Sequence, residues 1–233
     1  MIVDVIIPAL NEAGSLPLVL GDITDVRVRR VVVVDNGSTD GSSRVAAENG
    51  ATVVHESRRG YGSACLAGLN FLSSDPPDVV AFLDADYSDV PQEMGTLLDA
   101  LRDYDLVIGS RTTGAAESGA LLPQARFGNW LATRLIRGRW GVHFTDLGPF
   151  RVVRWSALER LHMQDRDFGW TVEMQVRAAS AGLRCTEIPV SYRKRVGVSK
   201  ITGTVAGSWA AGKKILYVIA REALLSGWKR EQL

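Results

Sequence analysis

Four consecutive β-branched residues, Val31-Val32-Val33-Val34, constrain this 233-residue chain more than any other feature. A strand with no polar alternation is apolar on both faces, so it calls for helices above and below a sheet. The surrounding sequence repeats the theme. Val3 to Ile7, Ala51 to His55, Val79 to Leu83 and Leu106 to Gly109 read as further strands. Helix-like segments fall between them at Ser15 to Ile23, Ser42 to Asn49, Gly62 to Leu72 and Pro91 to Arg102. Such alternation predicts an α/β fold with a mostly parallel central sheet and right-handed crossovers.

Ligands of such sheets bind beyond the carboxyl ends of the strands. The polar residues of this chain gather there: Asn11 and Glu12, then Asp35, then Asp84 and Asp86, then Ser110 and Arg111. Beyond them, Thr112 to Gln124 is rich in Gly, Ala and Ser and reads as a mobile loop. Helices are expected at Phe127 to Ile136, Ser156 to Leu161 and Thr171 to Ala181, with strands at Phe144 to Val153 and Cys185 to Tyr192. A long helix from about Thr202 to Leu225 ends the chain.

A net charge of only +1 provides no global field toward nucleic acid, so no nucleic-acid partner is expected. The two cysteines, Cys65 and Cys185, lack metal-ligand spacing and read as a reduced pair. Met1 runs into a first strand without a basic leader, and no apolar run reaches the ~20 residues that span a bilayer. A cytoplasmic protein, soluble or peripheral at the membrane's cytoplasmic face, is the expectation.

Asp84-Ala85-Asp86 is the central chemical motif. Two carboxylates one residue apart at a strand end can bind Mg²⁺ or Mn²⁺, which in turn holds a diphosphate. Alone such a triplet is an acidic turn, but here it follows a buried strand and has Asp35 at another strand end. Asp35-Asn36-Gly37-Ser38 can cap the next helix, or accept hydrogen bonds from a base or ribose, and the two readings are compatible.

Several segments together carry a family resemblance. Ile7-Pro8-Ala9-Leu10-Asn11-Glu12, Val34-Asp35-Asn36-Gly37-Ser38-Thr39-Asp40-Gly41, Leu83-Asp84-Ala85-Asp86 and Gly109-Ser110-Arg111 occur in the order found in family-2 glycosyltransferases. Thr145 to Arg151, Gly169 to Glu173 and Gly197 to Lys200 extend the likeness to the dolichyl- or polyprenyl-phosphate mannose (or glucose) synthases. The resemblance implies a GT-A (Rossmann-like) nucleotide-sugar-binding fold, with a catalytic domain at 1–205 and an amphipathic helix at 206–233. It implies that Pro8, Asn11, Glu12, Asp35, Asp84, Ala85 and Lys200 bind the nucleotide-sugar, GDP-mannose or UDP-glucose. Asp84 and Asp86 would hold the metal, and Asp86, Arg111, Asp146 and Glu173 are the catalytic set. Arg111, Arg126, Arg193 and Arg195 would hold the acceptor phosphate, since the guanidinium fork matches phosphate geometry. The chain departs from the family at Ala9-Leu10, where a tyrosine is usual, at Asn36, where a second acid is common, and at Gly148-Pro149, which replace a small polar stretch.

A phosphate monoester acceptor is already anionic, so direct displacement with inversion needs no strong base. An alcohol acceptor would need one, with Asp146 and Glu173 as the candidates. Trp209, Ile215, Leu216, Val218, Ile219, Leu224, Leu225 and Trp228, with Lys213, Lys214, Arg221, Lys229 and Arg230, form a basic amphipathic stretch. It suits a membrane interface, a packed helix or a homodimer contact. Competing readings are a transferase with a soluble acceptor and a non-catalytic nucleotide-binding protein. Retention of Asp84, Asp86, Arg111 and Lys200 opposes the latter. A Rossmann dehydrogenase is excluded because no Gly-x-Gly-x-x-Gly follows the first strand.

Overall fold

The structure, a computed structural model, describes residues 1–197 and 205–230. Seven strands form one sheet in the order β3-β2-β1-β4-β6-β5-β7. They are β1 (Val3–Ala9), β2 (Val28–Asp35), β3 (Thr52–His55), β4 (Val79–Phe82), β5 (Leu106–Ser110), β6 (Arg151–Arg154) and β7 (Cys185–Pro189). β1 runs parallel to β2 and β4, β2 to β3, and β5 to β7, whereas β6 is antiparallel to both β4 and β5. The sheet is therefore mostly parallel, as the sequence predicts.

Helices cover both faces: α1 (Leu16–Asp22), α2 (Ser42–Glu48), α3 (Tyr61–Leu72), α4 (Met94–Ala100), α5 (Pro123–Trp140), α6 (Trp155–Leu161), α7 (Trp170–Ser180) and α8 (Val205–Arg230). Successive strand residues point to opposite faces, and the valine run divides accordingly. Val32 and Val34 join Ile6, Val80 and Phe82 against Cys65 of α3, Ile136 of α5 and Trp170 of α7. Val33 joins Val3, Val5, Ile7 and Leu83 against Leu16 of α1 and Leu97 of α4. The two apolar layers explain the unbroken valine run, and the buried acid within β1, Asp4, is paired with Arg29 and Arg30 of β2. Val218 and Ile219 of α8 are buried in the first layer, so this helix shares the core of the sheet.

Several elements differ from expectation. The expected Cys185–Tyr192 strand ends at Pro189. Of the expected Phe144–Val153 strand only the last three residues enter the ladder, as part of Arg151–Arg154. The preceding backbone donors are taken by side chains instead: Glu187 accepts from the amides of Thr145 (2.7 Å) and Asp146 (3.0 Å), and Asn129 accepts from Leu147 (2.8 Å). A loop satisfied in this way has no need of a neighbouring strand. The helix expected at Phe127 to Ile136 runs longer, from Pro123 to Trp140, with proline in its first turn and Gly141 at φ +74° closing it.

The topology sets up one edge. From β1 the chain winds outward to β2 and β3, then crosses back to β4, so a switch point lies between β1 and β4. Because β6 is antiparallel, the 144–150 loop that feeds it arrives at the edge where the parallel strands end.

Candidate active site

At the β1 and β2 ends, the loops are sewn together by side chains. Asn11 adopts φ +54°, a left-handed conformation that asparagine tolerates. Its amide donates to Ser38 Oγ (2.9 Å), and its Oδ1 accepts from the Thr39 amide (2.7 Å). The Glu12 amide donates to Ser42 Oγ (2.8 Å). Asp35 is held within its own turn, accepting from the Ser38 amide (2.8 Å) and Ser43 Oγ (2.5 Å). Burial opposes its charge, but these hydrogen bonds outweigh burial and hold its pKa below the ordinary value. Pro8 lies in β1 beside Val34, which puts all four expected nucleoside residues along one rim.

Asn36 explains itself here. Its Nδ2 donates to the carbonyls of Glu56 (3.0 Å) and Arg58 (2.7 Å), and its Oδ1 accepts from the Gly60 amide (2.8 Å). An ionised acid could accept from Gly60 but could not donate to either carbonyl. The amide therefore ties the β3–α3 connection to the rim at the β2 end.

Beyond β4 stands a cluster of three carboxylates, Asp84, Asp86 and Asp89. Asp86 Oδ1 accepts from the amide (2.9 Å) and hydroxyl (2.5 Å) of Ser88, while Oδ2 pairs with Arg195. Asp89 Oδ2 accepts from the Asp84 amide at 3.3 Å. Asp84 Oδ1 and Asp89 Oδ1 are buried without a hydrogen-bond partner. Burial first, and then the Asp86 charge, push Asp84 up to about 7. Asp89 is raised too, by burial and then by the charges of Asp84 and Asp86. Buried, mutually repelling carboxylates with orphaned oxygens suit a divalent cation. Among the described residues no group of three or more His, Cys, Asp or Glu is placed to hold a metal ion by itself. Mg²⁺ or Mn²⁺ would take one or two of these carboxylates and complete its shell with water and substrate phosphates.

The chain returns over this cluster after β7. The Arg193 amide donates to the Ser88 carbonyl (2.8 Å) and the Val196 amide to the Asp86 carbonyl (2.9 Å). The Arg193 guanidinium lies 4.4 Å from the Tyr87 ring and 3.7 Å from Asp22. Arg193 and Arg195 thus meet the carboxylate loop. Lys200 lies outside the described residues.

Arg111, at the β5 end, is clamped by Asp146. Asp146 Oδ2 accepts from the Arg111 amide and Nε, both at 2.8 Å, and Oδ1 accepts from Nη2 at 2.8 Å. Asn129 adds a bond to Oδ1 at 2.9 Å, and the Tyr192 ring lies 5.0 Å from the guanidinium. Burial disfavours both charges, but the pairing outweighs it: Asp146 titrates lower than usual and Arg111 higher. Asp146, fully buried and with both oxygens occupied, reaches the site through Arg111. Arg126 is exposed in the first turn of α5, one turn before Asn129.

Glu173 is placed elsewhere. Its Oε2 accepts from the amides of Gln164 (3.0 Å) and Asp165 (2.7 Å), and its Oε1 meets Arg177 (3.1 Å) and Arg221 (2.7 Å). It joins α7 to α8, and no bond of it leads to the carboxylate cluster among the described residues. Residues missed in the sequence include Asp89, Asn129, Glu187 and Arg151. Asp89 stood three positions after Asp86 and could have been found by extending the motif. Arg151 is buried, donates to the Thr171 carbonyl (3.0 Å) and that of Gly148, and is pushed down to about 10 by burial.

Comparison with known proteins shows the family and the fold. Residues 4–161 match the model of the family described as glycosyl transferase family 2. An uncharacterized glycosyltransferase of Mycobacterium tuberculosis is 42% identical over 208 residues, covering 88% of this chain and 92% of that protein. The undecaprenyl-phosphate mannosyltransferase of Micrococcus luteus is 33% identical over 214 residues, covering 87% and 88%. Among solved structures, M. tuberculosis glucosyl-3-phosphoglycerate synthase, in complex with Mn²⁺, UDP and glucosyl-3-phosphoglycerate, superposes with a TM-score of 0.74 at 21% identity. It covers 95% of this chain and 80% of that one.

Proposed function

Since the chain belongs to glycosyl transferase family 2 and has a GT-A-like fold, we propose that this glycosyltransferase moves a hexose from a nucleotide-sugar to a polyprenyl phosphate. The observation that carries the reading is the Asp84–Asp86–Asp89 cluster at the sheet's switch point, with two buried carboxylate oxygens lacking partners. Asp84 and Asp86, with Asp89 beside them, would hold Mg²⁺ or Mn²⁺. Bound there, the cation supplies positive charge against which a nucleoside diphosphate can depart. The rim of Pro8, Asn11, Glu12 and Asp35 receives the nucleoside, of GDP-mannose or UDP-glucose. Arg193 and Arg195 lie over the carboxylate loop, where they meet the diphosphate or the incoming phosphate.

The acceptor side supports a phosphate. Arg111 is held charged and in one orientation by Asp146, Asn129 and the Tyr192 ring, a preorganised cation at the rim. Asp146 itself is a poor proton acceptor, since Arg111 keeps it ionised well below neutral pH. A phosphate monoester needs no base, and inversion by direct displacement follows. The lipid part of the reading draws on the Micrococcus relative, whose name specifies undecaprenyl phosphate. The M. tuberculosis structure instead holds glucosyl-3-phosphoglycerate, which keeps a soluble phosphate-bearing acceptor as the second reading.

The test is calorimetry and thermal shift with GDP and UDP, each with and without Mn²⁺, followed by transfer to polyprenyl phosphates. Saturation by the right nucleotide with metal should stabilise the fold by about 3 kcal/mol at a hundredfold excess over Kd. Product should then form on the lipid. Failure of every nucleotide to bind with metal present would overturn the transferase reading. Turnover on 3-phosphoglycerate but not on lipid would overturn the acceptor.

A further inference from the structure

Helix α5 has two unlike faces. Inward, Asn129 holds Asp146, the Thr145 carbonyl and the Leu147 amide, while Ala132, Thr133 and Ile136 are buried. Outward, Phe127 is 63% exposed, Trp130 51% and Leu135 41%. The Phe127 and Trp130 rings lie 5.7 Å apart, and the Arg134 guanidinium stands 5.3 Å from the Trp130 ring. Large aromatics are rarely left in water unless a partner takes them. The helix carries Arg126, Arg134, Arg137 and Arg139 and no acid, although the whole chain is only +1.

The adjoining α8 repeats this chemistry. Its Val218 and Ile219 share a cluster with α5's Ala132 and Ile136, and Arg139 of α5 donates to the Ala223 carbonyl at 3.1 Å. Away from the core, Trp209, Leu216, Tyr217 and Leu224 are exposed, with Lys213 5.3 Å from the Trp209 ring. Aromatic rings flanked by cations match the boundary between headgroups and acyl chains, and among the described residues no helix is both long and apolar enough to cross a membrane. A second copy of this chain fits less well. A two-fold contact through α5 would set Arg126, Arg134 and Arg137 against the same three.

We propose that the outward face of α5, centred on Phe127, Trp130 and Arg134, docks on an anionic bilayer surface and so sets the Arg111–Asp146 edge against membrane-held acceptor phosphate. The purpose of this face rests on the lipid-phosphate reading, but lipid contact is measurable without it. Asn129 lies between Phe127 and Trp130 in the same turn and grips Asp146 directly, so the docking face and the acceptor edge are two sides of one helix.

Co-sedimentation of the full chain with phosphatidylcholine vesicles, with and without phosphatidylglycerol, tests this. Binding should require phosphatidylglycerol and should shift tryptophan emission to the blue. The double substitution Phe127→Ser/Trp130→Ser should lower partition by more than about tenfold, because two aromatic rings no longer leave water. Arg134→Gln alone should lower it by about fivefold on anionic vesicles only. Both variants alter exposed side chains, so their unfolding transitions should match the wild type's, and their turnover of a short water-soluble prenyl phosphate should be unchanged. Wild-type protein that ignores anionic vesicles, or variants that bind them equally well, would overturn the proposal. So would a dimer that the substitutions dissociate while vesicle binding persists. Vesicle binding with no turnover of any prenyl phosphate would instead remove the acceptor reading and leave the docking face standing.

Discussion

Asp84→Asn should make the metal-free protein more stable, increasingly so as pH rises. The Asp84 carboxyl is raised from an ordinary 3.8 to about 7, by burial and then by the charge of Asp86. At about 1.4 kcal/mol per pH unit, its charged form costs the fold about 4 kcal/mol. A carboxyl raised in the folded state destabilises progressively as pH climbs. The cost is absent below about pH 4, grows between about 4 and 7, and is constant above 7. Asparagine keeps the shape and removes the charge, so it avoids this cost at every pH. The difference between variant and wild type should therefore widen by about 3 kcal/mol between pH 5 and pH 8. For a chain of this size that is about 6–12 °C in Tm. Urea or thermal unfolding in chelator, run on both proteins at each pH, measures it. Comparing the two proteins cancels the titrating groups that do not feel Asp84. Asp89, raised in part by the Asp84 charge, is relieved in the variant too and widens the difference in the same direction. Added Mn²⁺ should stabilise the wild type more at pH 8 than at pH 5, because cation and proton compete for the same oxygens, and should do little for the variant. A difference that stays flat with pH, or narrows, would refute both the burial of this charge and its role in holding a cation.

Four further outcomes follow from other parts of the molecule. Asp146→Asn leaves Arg111 buried without its carboxylate, so stability should fall by about 3 kcal/mol in chemical denaturation and transfer should slow. Arg126→Ala should raise the acceptor KM while leaving the donor KM unchanged, and equal changes in both would count against its place on the acceptor side. Gly62→Ala would set a Cβ 2.1 Å from the Asp165 carbonyl oxygen, and should cost about 3 kcal/mol or more, read as lost Tm or insoluble expression. Glu173→Gln weakens the tie from α7 to Arg177 and Arg221, so amide exchange in α8 should quicken while nucleotide affinity holds. A selective loss of turnover without faster exchange would return Glu173 to the reacting centre.

What could be read in the sequence was whatever depended on local pattern. The valine run of β2, together with β4 and β5, was legible because strands buried on both faces leave an apolar signature. β1 and the half-buried β3 were marked by their β-branched residues despite the polar groups of Asp4 and Thr52. The polar residues at their ends marked the rim, because a parallel sheet brings those ends together. The reversal at β6 was not legible. Nothing local in Arg151-Val152-Val153-Arg154 records direction, and the preceding 144–150 loop gets its partners from Asn129 and Glu187, far away in sequence. Glu173 misled for a similar reason. An acid in the first turn of an amphipathic helix looks the same whether it faces a substrate or two arginines of other turns and helices. Asp89 was within reach, since Asp84, Asp86 and Asp89 share a single turn after β4.

The choice of acceptor turns on what lies outside the carboxylate cluster and the rim proposed for the nucleoside. With the Arg111–Asp146 pair, these would serve a lipid phosphate or a soluble one equally well, since both present the same dianion to the same guanidinium. The fold shared with glucosyl-3-phosphoglycerate synthase cannot separate them at 21% identity. The distinguishing physics lies in what must accompany the phosphate. A soluble acceptor brings only polar groups, and a surface built for it has no use for Phe127 and Trp130 in water beside the loop that holds Asp146. A polyprenyl chain has to stay in a bilayer while its phosphate reaches the rim, which demands an apolar, cationic surface next to that rim. Removing the two rings should therefore slow transfer to long-chain acceptors presented in vesicles and spare short soluble ones. An equal loss on both would mean that the rings support the active-site loop instead of the membrane contact.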